Sequence, residues 1–370
     1  MRGARYRRAP RLPPAAEAFL WIADRLLDSG FSDPERRYHP EPRRPGEEAI
    51  REYLKEALAE RGLDPGDADA LLSTLYQEGF LAGEGRPEEG RRGIRLGPRA
   101  LRLLGARYLD RLLGARGRAG AGRHPAGEPV PGLEASGEAR PYRPGEPLHL
   151  DAVETLKRLV PRPPEELQEA HLVQALAEAG APMATALLLD CSHSMILYGE
   201  DRFTPAKRVA LALAHLIRTR YPGDRLAVYC FGDRAEPVPL SLLPLVQVGP
   251  WHTNTAEALA LAQGFLKRSP EPMKEAILIT DGKPSAMTLP DGRVYKNAWG
   301  LDERIVAATL KEAARLRRMG ASLHVFMLAE EPELVAFVRR LVAVGRGRAV
   351  LTRPEELGRH VLLDFQKSRG

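Results

Sequence analysis

Cysteine is almost absent from this chain: Cys191 and Cys230 are the only two in 370 residues. That excludes a disulfide framework and suits a reducing compartment. Long apolar runs are missing too. No stretch reaches the roughly 18 consecutive apolar residues that a membrane-spanning helix needs. The basic start MRGARYRRAPRLPP leads into AEAFLWIADRLLDSG, where Glu17, Asp24 and Arg25 interrupt any secretory apolar region. A cytoplasmic protein without membrane insertion is the expectation. There is no phosphate-cradling G-x-x-x-x-G-K-[ST] loop and no G-x-S-x-G turn, so neither intrinsic nucleotide hydrolysis nor an α/β-hydrolase is indicated. No aromatic series interleaves the arginines, and the basic stretch RPEEGRRG carries two glutamates. Both features argue against nucleic acid as the partner.

A composition 44% hydrophobic and 28% charged belongs to ordinary water-soluble folds. The formal charge of +6 is modest for this length, and an acidic partner or plain solubility accounts for it. The length exceeds one usual domain and predicts a full domain with a smaller unit or linker beside it.

Residues 1–113 read as a mainly helical region, with amphipathic pieces near 14–28, 46–61, 67–79 and 98–113. Between the last two, GFLAGEGRPEEGRRGIRLGP has the form of a hairpin with a long polar tip, a winged-helix-like order. Residues 114–147 are rich in Gly, Pro and Arg with few large apolar side chains, which is linker composition. Residues 148–180 read as a helical connector, with pieces near 150–160 and at PPEELQEAHLV. From 181 to 370 the pattern alternates. ATALLLD, RLAVYCF, EAILITD and SLHVFML are strand-like runs separated by helical stretches such as TPAKRVALALAHLIRTRYP and TAEALALAQGFLKR. This is an α/β pattern: a doubly wound, mostly parallel, Rossmann-like sheet with helices on both faces. AEPVPLS, with two prolines, fits a short antiparallel edge strand.

Hard oxygen ligands gather in DCSHS (190–194), HTNT (252–255) and TDGKPS (280–285). The carboxyl ends of parallel strands share one edge, so Asp190 and Asp281, each ending an apolar run, fall side by side. Asp190, Ser192 and Ser194 are spaced two apart, which sends their side chains to one side of an extended turn. Carboxylates and hydroxyls, without imidazole or thiolate at metal spacing, select a hard cation, Mg²⁺ (or Mn²⁺), over zinc. Helix capping by Ser194 or Thr253 is the plain alternative. It leaves two strand-ending aspartates unexplained. His193 and His252 read as loop residues rather than ligands.

These residues resemble the metal-ion-dependent adhesion site of von Willebrand factor type A domains: D-x-S-x-S, then a distant threonine, then a distant aspartate. Asp190, Ser192 and Ser194 match the first part and Asp281 the last. Thr253 is the threonine that precedes its helix, with Thr255 close behind; Trp251 and His252 stand where many bacterial relatives have two glycines. The resemblance implies direct coordination by the serines and threonine, water-mediated contact from one or both acids, and a last position taken by an acidic residue of a protein partner. It implies a non-catalytic interaction module. A helical front with such a domain at the carboxyl end is similar to bacterial partners of MoxR-like or magnesium-chelatase-like AAA+ ATPases, and DGRVYKNAW and VLLDFQK resemble that group. Two readings compete. One is a Mg²⁺-dependent phosphoryl-transfer enzyme using Asp190 as nucleophile, although Ser192 stands where aspartate-based phosphatases have a second acid. The other is a nucleic-acid-binding regulator acting through the helical amino-terminal region.

Overall fold

The computed structural model describes residues 13–28, 45–84, 93–114, 139–141, 173–175, 181–196, 200–249, 251–297 and 299–368. The chain divides into two compact units, one of residues 1–118 with 183–362 and one of 119–182 with 363–370. In the second, β3 (Ala139–Pro141) and β4 (Val173–Ala175) pair antiparallel. Val173–Ala175 is therefore strand, where the sequence pattern reads as helix through Val173. The rest of the predicted linker and connector lies outside the described residues, apart from Gly114, which ends a helix, and Ala139–Pro141.

The first unit opens with α1 (Ala15–Leu26), α2 (Glu47–Ala59) and α3 (Ala68–Gln77), then the hairpin β1 (Leu81–Glu84) and β2 (Gly93–Leu96), then α4 (Pro98–Gly114). Each helix buries one apolar stripe, as in Ala15, Ala18, Phe19, Ile22 and Leu26 of α1. Phe19 meets Phe80 at a ring-centroid distance of 5.4 Å, fixing α1 against the start of the hairpin.

The alternating part contains β5 (Met183–Asp190), α5 (Phe203–Arg220), β6 (Arg225–Phe231), β7 (Ala235–Pro237), α6 (Thr255–Arg268), β8 (Met273–Thr280), β9 (Ala286–Thr288), β10 (Val294–Lys296), α7 (Glu303–Arg318), β11 (Ser322–Met327), α8 (Pro332–Gly345), β12 (Ala349–Leu351) and α9 (Leu357–Lys367). Six strands make one sheet in the order β12-β11-β8-β5-β6-β7. All pairs are parallel except β6–β7, the proline-bearing edge. β5 is buried along its whole length, as a central strand covered on both faces must be, which is why MATALLLD is nearly all apolar. On one face Leu259, Leu316 and Leu341 of α6, α7 and α8 pack with Leu188, Leu278 and Leu323 of the strands. Each such side chain contributes about 1.5–3 kcal/mol by leaving water. α5 adds nothing to that cluster. It covers the opposite face, and α4 lies against it.

This winding places the site. The chain leaves β5 to form β6 on one side and returns to form β8 on the other, so β5 is where the strand order reverses. Loops at the carboxyl ends of the strands open into a crevice at such a point.

Candidate metal centre

The register sets Leu189 beside Ile279, so the next residues, Asp190 and Thr280, end neighbouring strands together. Asp190 is fully buried. Its Oδ1 accepts the Ser192 N–H at 3.0 Å, turning the chain sharply, and its Oδ2 accepts the Thr280 hydroxyl at 2.6 Å. The Thr280 oxygen in turn accepts the Gly282 N–H at 3.0 Å. Gly282 has φ +98°, and a Cβ there would lie 3.0 Å from Met327 Cε, so the turn after β8 requires glycine. Ser192 Oγ and Ser194 Oγ are 3.1 Å apart. Ser192 and Ser194 do face one another, but Ser194 lies in a 3₁₀ turn, His193–Ile196, and not in the extended turn that the spacing predicts.

Asp281 is 5% exposed and follows β8 directly. One oxygen side of it receives the Ser194 hydroxyl and the Lys283 N–H, while Oδ1 is buried with no hydrogen-bond partner. Burial pushes both carboxyl groups up. Asp190 rises to about 7, by desolvation first and the Asp281 charge second, against the bonds from Ser192 and Thr280. Asp281 is raised by burial and by Glu331, against Ser194, Arg202 and the Lys283 N–H. Two acids thus share one water-poor corner and resist ionisation unless positive charge enters.

Thr253 is buried. Its N–H donates to Ser285 Oγ at 3.0 Å and its carbonyl accepts the Ser285 and Ala286 N–H groups at 3.0 and 3.1 Å. Only its hydroxyl is left for other work. The three loops are bonded to one another: His193 N–H reaches the Trp251 carbonyl at 3.2 Å, Thr253 reaches Ser285, and Thr280 reaches Asp190. Thr255 starts α6, and the cap of that helix is Asn254, whose Oδ1 accepts the Glu257 N–H at 3.1 Å. Capping here falls to Asn254.

Among the described residues no cluster of three or more His, Cys, Asp or Glu is placed to hold a metal. The site has instead two carboxylates with Ser192, Ser194 and Thr253, a set that can hold a hard, oxygen-seeking divalent cation. His252 donates its N–H to Asp233 Oδ1 at 2.8 Å and shapes the loop. Cys191 and Cys230 are buried and form no disulfide; burial holds the Cys191 thiol well above its ordinary range, so it is protonated and inert.

The sequence reading includes Thr280 and Ser285 within TDGKPS without giving either a role of its own, and it misses Asp233. Thr280 sits inside an apolar run, where threonine passes for an ordinary strand former. The signal for Ser285 and Asp233 is slight: each is a turn residue whose partners lie far along the chain.

Residues 183–366 match a family model described as "Rv0959-like protein, vWA domain". The chain is 31% identical over 356 aligned residues to the Mycobacterium tuberculosis protein named "Uncharacterized protein Rv0959" and to the Mycobacterium bovis protein named "Uncharacterized protein Mb0984". The alignment takes in 87% of this chain and 51% of each of those proteins, so the chain spans about half the length of the curated relatives it matches. Similar solved structures include the vWF domain of the type V pili tip protein Mfa5 from Porphyromonas gingivalis, with TM-score 0.39 and 12% identity over 51% of this chain and 95% of that one. Another is a von Willebrand factor type A structure from Catenulispora acidiphila, with TM-score 0.37 and 20% identity over 54% of this chain and 44% of that one. A third is the PilB minor pilin of Streptococcus sanguinis, with TM-score 0.40 and 16% identity over 53% of this chain and 63% of that one.

Proposed function

We propose that this chain, whose residues 183–366 match a von Willebrand factor type A domain model, is a non-catalytic interaction module whose binding depends on a divalent cation. Asp190, Ser192, Ser194, Thr253 and Asp281 hold Mg²⁺ (or Mn²⁺). When bound, the ion supplies an electrophilic position for an acidic residue of a protein partner. Ser192, Ser194 and Thr253 contribute neutral oxygens and so leave that electrophilicity largely undiminished. Asp190 and Asp281 supply the negative charge that draws the cation in.

The observation that carries this reading is the pairing of two buried acids at one strand edge, with Asp281 Oδ1 lacking any partner. A buried, unsatisfied carboxylate oxygen costs stability unless something positive occupies the corner. A second feature supports binding over chemistry. Trp299, 88% exposed, follows Asn297, whose N–H donates to the Ser285 carbonyl at 2.8 Å. A large aromatic is thus exposed two residues beyond a segment bonded to the loop that follows β8, and an exposed tryptophan commonly anchors a partner. The partner class that fits the family resemblance is a MoxR-like AAA+ ATPase.

Calorimetry of the whole chain with MgCl₂ and MnCl₂ tests the site. Wild type is expected to release heat and to lose it in EDTA, and Ser192→Ala/Ser194→Ala is expected to show none. Equal heats from the two proteins would refute the site. Capture of a purified MoxR-type ATPase that is equal with and without EDTA would refute the metal bridge.

A further inference from the structure

The threonine is the one proposed ligand that no strand of the sheet delivers. Thr253 lies between a turn and α6, so its place depends on side chains around it. Asp233, in the turn after β6, holds both of its neighbours: Oδ1 accepts the His252 N–H at 2.8 Å and the main-chain carbonyl accepts Asn254 Nδ2 at 3.0 Å. Asn254 N–H also donates to the Gly232 carbonyl at 2.8 Å, so the turn grips the loop on either side of Thr253.

The other oxygen of Asp233, Oδ2, takes the ammonium of Lys296 from β10. Lys296 lies opposite Ala286 in the β9–β10 hairpin, and the Ala286 N–H donates to the Thr253 carbonyl at 3.1 Å. The base of the hairpin therefore touches Thr253 directly, and Lys296 ties that base to the turn that grips its neighbours. Asn254 Nδ2 adds a further tie to Thr288 Oγ1 of β9 at 3.0 Å. The result is a closed ring of contacts around one residue: turn, threonine loop, hairpin and back to the turn.

We propose that Asp233 and Lys296 are positioning residues for Thr253, setting the cation affinity of the site without touching the cation. This rests on the metal-binding reading above. The pair is partly exposed, with side chains 22% and 42% accessible, so its effect on global stability is small. Its effect on affinity is not, because residues that orient a ligand typically govern metal binding by 10–100-fold.

The test uses Mn²⁺ alone, followed by the electron paramagnetic resonance signal of the free ion, on the full chain and on Thr253→Ala, Lys296→Met, Lys296→Arg and Asp233→Asn. Lys296→Met and Asp233→Asn are expected to bind about 10-fold more weakly. Their unfolding midpoints in EDTA should stay at the wild-type value, and Lys296→Arg, which keeps the charge, should recover most of the affinity. If Lys296→Met and Asp233→Asn bind as wild type does while Thr253→Ala is weakened, the positioning role is overturned and the metal site stands. If wild type takes up no Mn²⁺, or Thr253→Ala binds equally well, the metal reading itself falls and takes this one with it. An arginine variant as weak as the methionine one would also count against the ion pair.

Discussion

Thr280 donates its hydroxyl to Asp190 Oδ2 at 2.6 Å, joining the ends of two adjacent parallel strands at the point where the sheet reverses its winding. The bond is buried, and the Thr280 hydroxyl oxygen accepts the Gly282 N–H that shapes the turn leading out of Asp281. One hydroxyl thus orients one acid and the loop of the other.

Thr280→Val keeps the shape of the side chain and removes the oxygen. It leaves a buried carboxylate oxygen and a buried N–H without their partners, and each such loss costs about 1–3 kcal/mol. Urea unfolding in EDTA should show a combined loss of about 2–6 kcal/mol. Thr280→Ser, which keeps the hydroxyl, should lie near wild type. A valine variant as stable as wild type would mean the bond has little worth.

Much of this arrangement is legible before any coordinates. RLAVYCF and TAEALALAQGFLKR correspond residue for residue to β6 and α6, because apolar content and period are unambiguous there. Asp190 and Asp281 are legible because strand ends in a parallel sheet converge. The β9–β10 hairpin is not. Its strands are three residues long, too short for any period, although Pro290-Asp291-Gly292, with Gly292 at φ +84°, is a readable turn signal. Lys207 is not legible either. Nothing in TPAKRVALAL marks this lysine out, yet it is fully buried, bonded to carbonyls of Asp28, just past α1, and of the 244–246 turn, both distant in the chain.

Helix α4 crosses α5 at Gly105. A Cβ there would lie 2.6 Å from His215 Cβ and 3.0 Å from the Leu211 carbonyl oxygen, both on α5. Gly105→Ala gains helix propensity of about 1 kcal/mol, and overpacking costs typically 1–3 kcal/mol. The overpacking wins because the obstacles are a backbone atom and a Cβ, neither able to swing aside. A net loss of stability in thermal melts is expected; an alanine variant that melts higher would show that the helices separate freely.

Lys207 donates to the carbonyls of Val246 at 2.8 Å, Pro244 at 3.2 Å and Asp28 at 3.5 Å. Burial lowers its pKa from 10.5 to about 7. Between about pH 7 and 10.5 the unfolded chain holds more protons at this residue than the folded one, so its contribution to stability rises with pH and is lost as pH falls through 7. Lys207→Met removes that dependence along with the three bonds. The stability of wild type relative to the methionine variant should therefore increase from pH 6 to pH 9. Subtracting the variant cancels every other titrating group. A constant difference across that range would show the ammonium is no harder to bury than to expose.

The acids at the strand edge give the opposite slope. Asp190 is raised from 3.8 to about 7 by burial and by the neighbouring Asp281 charge. In the metal-free protein the folded state therefore holds a proton that the unfolded chain has already released above about pH 4. Stability is full below that value and declines as pH climbs through 7. Asp190→Asn carries no charge to repel Asp281 and should melt higher than wild type at pH 8 in EDTA, with a flatter pH profile. Adding MgCl₂ at pH 8 should raise the wild-type melting temperature, because a ligand that binds only the folded state stabilises it by mass action. It should leave the asparagine variant nearly unmoved. A wild-type stability profile as flat between pH 4 and pH 8 without metal as that of the variant would show that Asp190 is ionised comfortably there, and the physical case for a cation between the two acids would be lost.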